Sequence, residues 1–140
     1  MDVRAEVVDI LAGFALFADL STPELENLVD SFEEQMFNDG ERVVRQGLSS
    51  AMFYVIVDGA ALVRVSGTDR NTLRAGDFFG EISCLLGEPP VADIIARGQL
   101  RCLVLPGESL EEFLVGHPRV LFRVLLGEAR KLRNTTQWRT

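Results

Sequence analysis

The sequence predicts a mainly β fold with flanking helices, and three observations carry that expectation. Residues 34–105 break into short β-prone runs separated by glycine. Helical patterning precedes this stretch, and it returns afterwards through residues 106–140. Several strands at close spacing suggest a sandwich or barrel, so the chain is divided into N-terminal helices (1–33), a β-roll (34–105) and C-terminal helices (106–140) of one domain. A chain of 140 residues is long enough to bury a core without disulfides.

The first helix is expected from Val3 to Phe17. The second is marked more sharply: in "LSTPELENL", Ser21 and Glu24 have capping-box spacing, and Leu20 and Leu25 are placed as a hydrophobic staple. Leu25, Leu28, Val29 and Phe32 form one apolar face, which extends this helix from Thr22 to Phe32. In the β region, "EQMFN", "RVVRQ", "MFYVIV", "ALVRV", "NTLRA", "ADIIA" and "RCLVL" read as strands. Asp58-Gly59, between two strong strand signals, is read as a hairpin turn. "MFYVIV" is apolar almost throughout, so it belongs in the middle of a sheet or between layers. Ser109 and Glu112 repeat the capping-box spacing, and Pro118 opens the last helix. On that helix Leu121, Val124, Leu125, Glu128 and Leu132 fall roughly on one side, a face suited to an intrachain core, a homodimer or an additional domain. Gly127 is costly in a helix, so it marks either a close approach of another backbone or a weak point.

Composition narrows the function classes. Apolar residues make up 47% and charged residues 25%, ordinary for a soluble globular protein. No run reaches membrane-span length, and the acidic start lacks the features of a signal peptide, so an intracellular, cytoplasmic protein is expected. A net charge of -7 argues against direct nucleic-acid binding. The five arginines and Lys131 of residues 119–140 are attributed to the macrodipole of the last helix. Cys84 and Cys102 are read as buried, reduced thiols. A single histidine, His117, cannot assemble a multi-histidine metal site, and it lends no support to a Ser-His-Asp or Cys-His arrangement, so neither catalysis nor a bound metal or cofactor is expected.

The segment carrying chemistry is "GDFFGEISCLLGEPPVADIIA", residues 76–96. A helical turn starting at Glu81, right after Gly80, would present free backbone N–H groups to an anion. Taken alone, a glycine-to-helix junction is a weak signal.

With "DGERVVRQG", "FYVIVDGAALV", "LRAGDFFGEISCLLGEPPVADIIA" and "GHPRVLFRVL" in that order, nearly the whole chain resembles the cyclic-nucleotide-binding domain family. The resemblance implies a double-stranded β-helix, or jelly-roll barrel, with the terminal helices packed outside. It also implies a phosphate-binding cassette opening at "FGEIS". In that family the cassette glutamate bonds the ribose 2′-hydroxyl and the helix start donates to the cyclic phosphate. Glu81 would take the ribose role, with Phe79, Gly80, Ile82, Ser83, Pro90, Val91 and Ala92 completing a pocket for cAMP or cGMP. Trp138, on the C-terminal helix, would close over it.

The cassette departs from the family at its far end. Binding members close it with proline, arginine, serine or threonine, then alanine, and the arginine clamps the phosphate. Here the run is "PPVA": Pro90 stands in the arginine position and Val91 in the hydroxyl position. No basic residue occurs between Arg74 and Arg97. Losing clamp and hydroxyl costs several kcal/mol, roughly two to four orders of magnitude in affinity. In an extended strand Asp93 shares the face of Val91, which would add a carboxylate. Arg64 or Arg74, reaching in from a neighbouring strand, are the candidate substitutes. The expectation is a regulatory, ligand-sensing module with impaired or altered cyclic-nucleotide recognition. The alternatives are a working receptor using another basic residue, a dimerisation or docking module, and a fragment of a transcription factor.

Overall fold

The computed structural model describes the backbone of residues 3–48 and 50–139, and the side chains of 4–48 and 50–135. In chain order the elements are α1 (Val3–Ala12), α2 (Thr22–Val29), β1 (Glu33–Phe37), β2 (Arg42–Val44), β3 (Met52–Val65), β4 (Thr68–Arg74), β5 (Phe78–Phe79), α3 (Glu81–Leu86), β6 (Asp93–Pro106), α4 (Leu110–Gly116) and α5 (Pro118–Arg139). No helix among the described residues is long and apolar enough to cross a membrane.

The first helix stops before its expected end. Phe14 adopts an extended conformation, and a single 3-10 turn, Ala15–Phe17, follows. The predicted capping box is present: Glu24 N–H donates to Ser21 Oγ at 3.3 Å, and Ser21 N–H donates to Glu24 Oε1 at 3.0 Å. That helix ends at Val29, because the next backbone N–H groups bond in tight turns to Asn27, Leu28 and Val29 carbonyls. Ser109 makes no cap, since a 3-10 turn over Gly107–Ser109 runs directly into α4.

All strands pair antiparallel in the order β1-β6-β3-β4, with β2 added to β6 and β5 to β3. The centre is the pairing of β3 with β6 from Met52↔Pro106 to Arg64↔Asp93. Asp58-Gly59 is therefore not a hairpin turn: the chain continues through it as one strand, with the register shifting on both sides of Asp58. Gly59 takes φ +96, and a Cβ there would collide with the Gln99 carbonyl oxygen across the ladder. The glycine thus serves a bulge that bends a long strand pair. "ADIIA" and "RCLVL" likewise merge into β6. The reversal lies at Ser66-Gly67, where φ values of 49 and 81 suit a two-residue turn joining β3 to β4.

The apolar run in β3 serves two cores. Phe53, Val55 and Val57 face the helices, packing with Leu11, Phe17, Leu25, Leu28, Phe113, Val120 and Val124. Tyr54 and Ile56 face the interior of the roll with Phe79, Ile94, Ala96, Leu100 and Cys102. On α5 the buried positions are Val120 and Val124, whereas Leu121, Leu125 and Leu132 are exposed, so the expected apolar face is rotated from the one that packs. Val120, Val124, Gly127 and Lys131 mark the inward side at helical spacing. Gly127 is there because of a ring rather than another backbone: a Cβ would stand 3.0 Å from Phe78 Cζ.

Gly59→Ala is expected to lower the unfolding free energy by at least about 2 kcal/mol, through strain and collision together. Gly67→Ala, at positive φ but with open space around it, should cost only about 1 kcal/mol. Urea unfolding of the two variants against the parent measures the difference.

Candidate functional site

The bend in β3 and β6 leaves a cavity of about 830 Å³ at one end of the roll, a size ordinary for small-molecule sites. Its walls come from β2, β3, β4, β5, α3, β6 and the loop before it, and α5. Phe79, Gly80, Glu81, Ile82, Ser83, Pro90, Val91 and Ala92 all line it.

The cassette wall follows from local geometry. Gly80 takes φ +88, and a Cβ there would collide with the Met52 carbonyl oxygen, so this N-cap position of α3 accepts only glycine. Phe79 stacks on Tyr54 with ring centroids 4.5 Å apart, fixing the approach of β5. Ser83 Oγ donates to the Glu88 carbonyl, which ties it to the far end of the cassette. The Pro90 carbonyl accepts from Gly47 N–H at 2.8 Å. Val91 is exposed, and Asp93 does not line the cavity: its Oδ1 accepts from Gln46 N–H at 2.7 Å. The expected carboxylate beside Val91 is thus engaged elsewhere.

Neither candidate cation from the strands lines the cavity. Arg64 pairs with Asp69 at 2.7 Å, and Arg74 is exposed at the end of β4. The basic lining residues are Arg70 and Lys131, neither of which the sequence singles out for this site. Arg70 is the extra residue of a bulge, because Val63 opposes Asn71 while Arg64 opposes Asp69. The bulge becomes visible only when the strand register is known. The side chain of Trp138 lies outside the described residues.

Lys131 is the chain's sole lysine. Its Nζ donates to Glu81 Oε1 at 2.9 Å and to Glu128 Oε1 at 3.4 Å, and it lies 5.1 Å from the centroid of the Phe78 ring. Glu81 is only 3% exposed, and its Oε2 is buried without a hydrogen-bond partner among the described residues. Burial pushes the Glu81 carboxyl above its ordinary value, an effect that Lys131 opposes without cancelling. Burial pushes the Lys131 ammonium down, but the Glu81 charge and hydrogen bond, with Glu128 behind them, outweigh it and leave Lys131 raised. The one sequence signal for this contact is Gly127, a turn before Lys131, where the missing side chain admits Phe78 and lets α5 settle.

The thiols are chemically quiet, since burial pushes Cys84 up to about 11 and Cys102 up to about 12. His117 closes α4, with Nδ1 2.9 Å from the Phe113 carbonyl oxygen. No group of three or more metal-ligating side chains assembles among the described residues.

A family model described as a cyclic nucleotide-binding domain matches residues 34–117. The chain is 32% identical over 108 residues to the cAMP-dependent protein kinase regulatory subunit of Mucor circinelloides f. lusitanicus, covering 74% of this chain and 25% of that protein. It is 30% identical over 125 residues to a cGMP-dependent protein kinase of Toxoplasma gondii, covering 89% of this chain and 13% of that one. The chain thus spans a quarter or less of these curated relatives. Among solved structures, the regulatory domain of Toxoplasma gondii PKA, co-crystallised with cAMP, superposes with a TM-score of 0.73 at 27% identity. That match covers 89% of this chain and 50% of the other.

The raised Glu81 pKa has a definite consequence for stability. The carboxyl favours the folded state most at low pH, and that contribution is lost as pH climbs from the ordinary value of 4.5 through the raised one. Glu81→Gln removes this titration. The stability of the parent relative to the variant should therefore decline as pH rises from about 4.5 toward neutrality, measured by urea unfolding of both proteins; a constant difference would contradict the assignment.

Proposed function

The chain belongs to the cyclic nucleotide-binding domain family, and from that premise we propose that it is a regulatory, ligand-sensing module whose recognition of cAMP or cGMP is weakened or altered. The observation that carries this reading is the charge on the cassette wall. Pro90, Val91 and Ala92 line the cavity and bring no cation to the place where binding relatives are expected to clamp a phosphate. A backbone N–H cradle at α3 remains, but neutral donors contribute less than a charge-assisted pair. The buried Glu81 carboxylate further disfavours an anion nearby.

The proposed role is non-catalytic. Both thiols remain protonated near neutral pH, and the only histidine is engaged at a helix end. Ligand occupancy would be transmitted by α5, which forms one wall of the cavity through Lys131, Asn134 and Thr135. Such coupling requires the ligand to bind the two positions of α5 with different affinity.

One observation favours a second reading, a working receptor with a relocated cation. Arg70, placed by the β4 bulge, lines the cavity and has no ion pair among the described residues. A phosphate turned toward β4 would meet this guanidinium.

Isothermal titration separates the two. The parent chain is expected to bind cAMP and cGMP weakly, and Pro90→Arg with Val91→Ser should tighten cAMP binding by about a hundredfold or more. Micromolar or tighter binding by the parent, abolished by Arg70→Ala, would establish the second reading instead. No gain from the double substitution would reject a cavity that lacks only its clamp.

A further inference from the structure

We infer that Lys131 is a built-in occupant of the cassette carboxylate, so that α5 and a ligand hydroxyl compete for Glu81. This inference rests on the reading above that the cavity accepts a hydroxyl-bearing ligand. It adds that the site is closed against the hydroxyl by the chain itself.

The carboxylate is sealed. The Glu81 side chain is 4% exposed, Oε2 is buried without a partner among the described residues, and Oε1 is held by the Lys131 ammonium. A ligand hydroxyl that is to bond Oε1 must therefore take the place of the Lys131 ammonium. The ammonium is stabilised where it stands by three groups: Glu81 at 2.9 Å, Glu128 at 3.4 Å, and the face of Phe78 with its centroid 5.1 Å away. A neutral hydroxyl replacing it exchanges a charge-assisted hydrogen bond for a weaker one and leaves a buried carboxylate without its counter-charge. The chemistry that displaces Lys131 must therefore bring favourable contacts elsewhere in the cavity, and a ligand whose only asset is its hydroxyl does not enter.

The seating of α5 supports the same conclusion. Gly127 lies against Phe78, and Lys131, Asn134 and Thr135 follow on the cavity side of the helix. Lys131 is thus carried by the helix that forms this wall of the cavity, and its side chain, 52% exposed, has solvent to move into when it leaves the carboxylate. While Lys131 holds Glu81, the domain does not distinguish a ribose from a 2′-deoxyribose; once it is displaced, the distinction appears.

Two measurements test this. Because Lys131 is the only lysine, its acylation by an N-hydroxysuccinimide ester can be followed by peptide mass without ambiguity. With no ligand present, Lys131 in the parent chain is expected to react at least about fivefold more slowly than in Glu81→Gln; equal rates overturn the inference. The second measurement titrates cAMP and 2′-deoxy-cAMP into the Pro90→Arg, Val91→Ser chain with and without Lys131→Met. Lys131→Met should tighten cAMP binding by about tenfold and open a preference for cAMP over its 2′-deoxy analogue. Unchanged or weaker cAMP binding overturns the competition. If Lys131→Met does not fold, Lys131→Gln, which also removes the charge, carries the same expectation. Should the clamp-restored chain take no cAMP at all, the ligand reading of the cavity fails, while the acylation rates still decide whether Lys131 is held on Glu81.

Discussion

The antiparallel pairing of β3 with β6 is the constraint on which the rest of the molecule depends. Two 14-residue strands held together along their length give the sheet two buried faces, and the shifts around Asp58 bend both strands together. One face closes on the helices, the other on the interior of the roll. Each further element is attached to this pair: β1 and β2 extend β6, β4 and β5 extend β3, and α3 starts where β5 leaves the sheet. The cavity is bounded by these attachments, so its shape is inherited from the bend.

The electrostatic plan of the cavity follows from which elements bring charge to it. The cassette contributes Glu81 and no cation, β4 contributes Arg70 beside Asp69, whose carboxylate is paired with Arg64, and α5 contributes Lys131. Positive charge therefore enters from two walls other than the cassette, a strand held in the sheet by its pairing with β3 and a helix laid across the roll. In a chain of net charge -7 this concentrates much of the local ligand chemistry in two residues. Other basic groups of α5 have structural work: Arg119 and Arg123 both pair with Asp19, and the Arg123 guanidinium foremost holds the Asp19 carboxyl below its ordinary range.

Much of this was legible in the sequence, and the failures have physical causes. The Ser21–Glu24 cap, the start of α5 at Pro118 and the two-sided burial of "MFYVIV" were readable from local patterns, whereas the eight cassette residues around the cavity were reached through the family resemblance. Asp58-Gly59 misled because positive φ serves a bulge as well as a turn, and only the opposite strand decides between them. The leucines of α5 left the choice between an intrachain core and a partner open: their spacing describes an apolar stripe, while the side that packs within the chain includes a glycine with no apolar weight. Arg70 and Lys131 escaped notice for a shared reason: each is placed by tertiary contacts, one through a register shift and the other through a helix laid across the roll. Arg64 and Arg74 looked equally suitable by residue type, but the first is paired with Asp69 and neither lines the cavity.

The contact between Gly127 and Phe78 carries a wider mechanical meaning. The depth at which α5 rests is set by an aromatic ring meeting bare main chain, with 3.0 Å from Phe78 Cζ to the spot where even a methyl would begin. Such a seat leaves little slack: one added carbon would need the Phe78 ring to give by a few tenths of an ångström, or the helix to ride outward by as much. The absence of a side chain four residues upstream of the chain's only lysine thus sets how closely the helix lies against the ring.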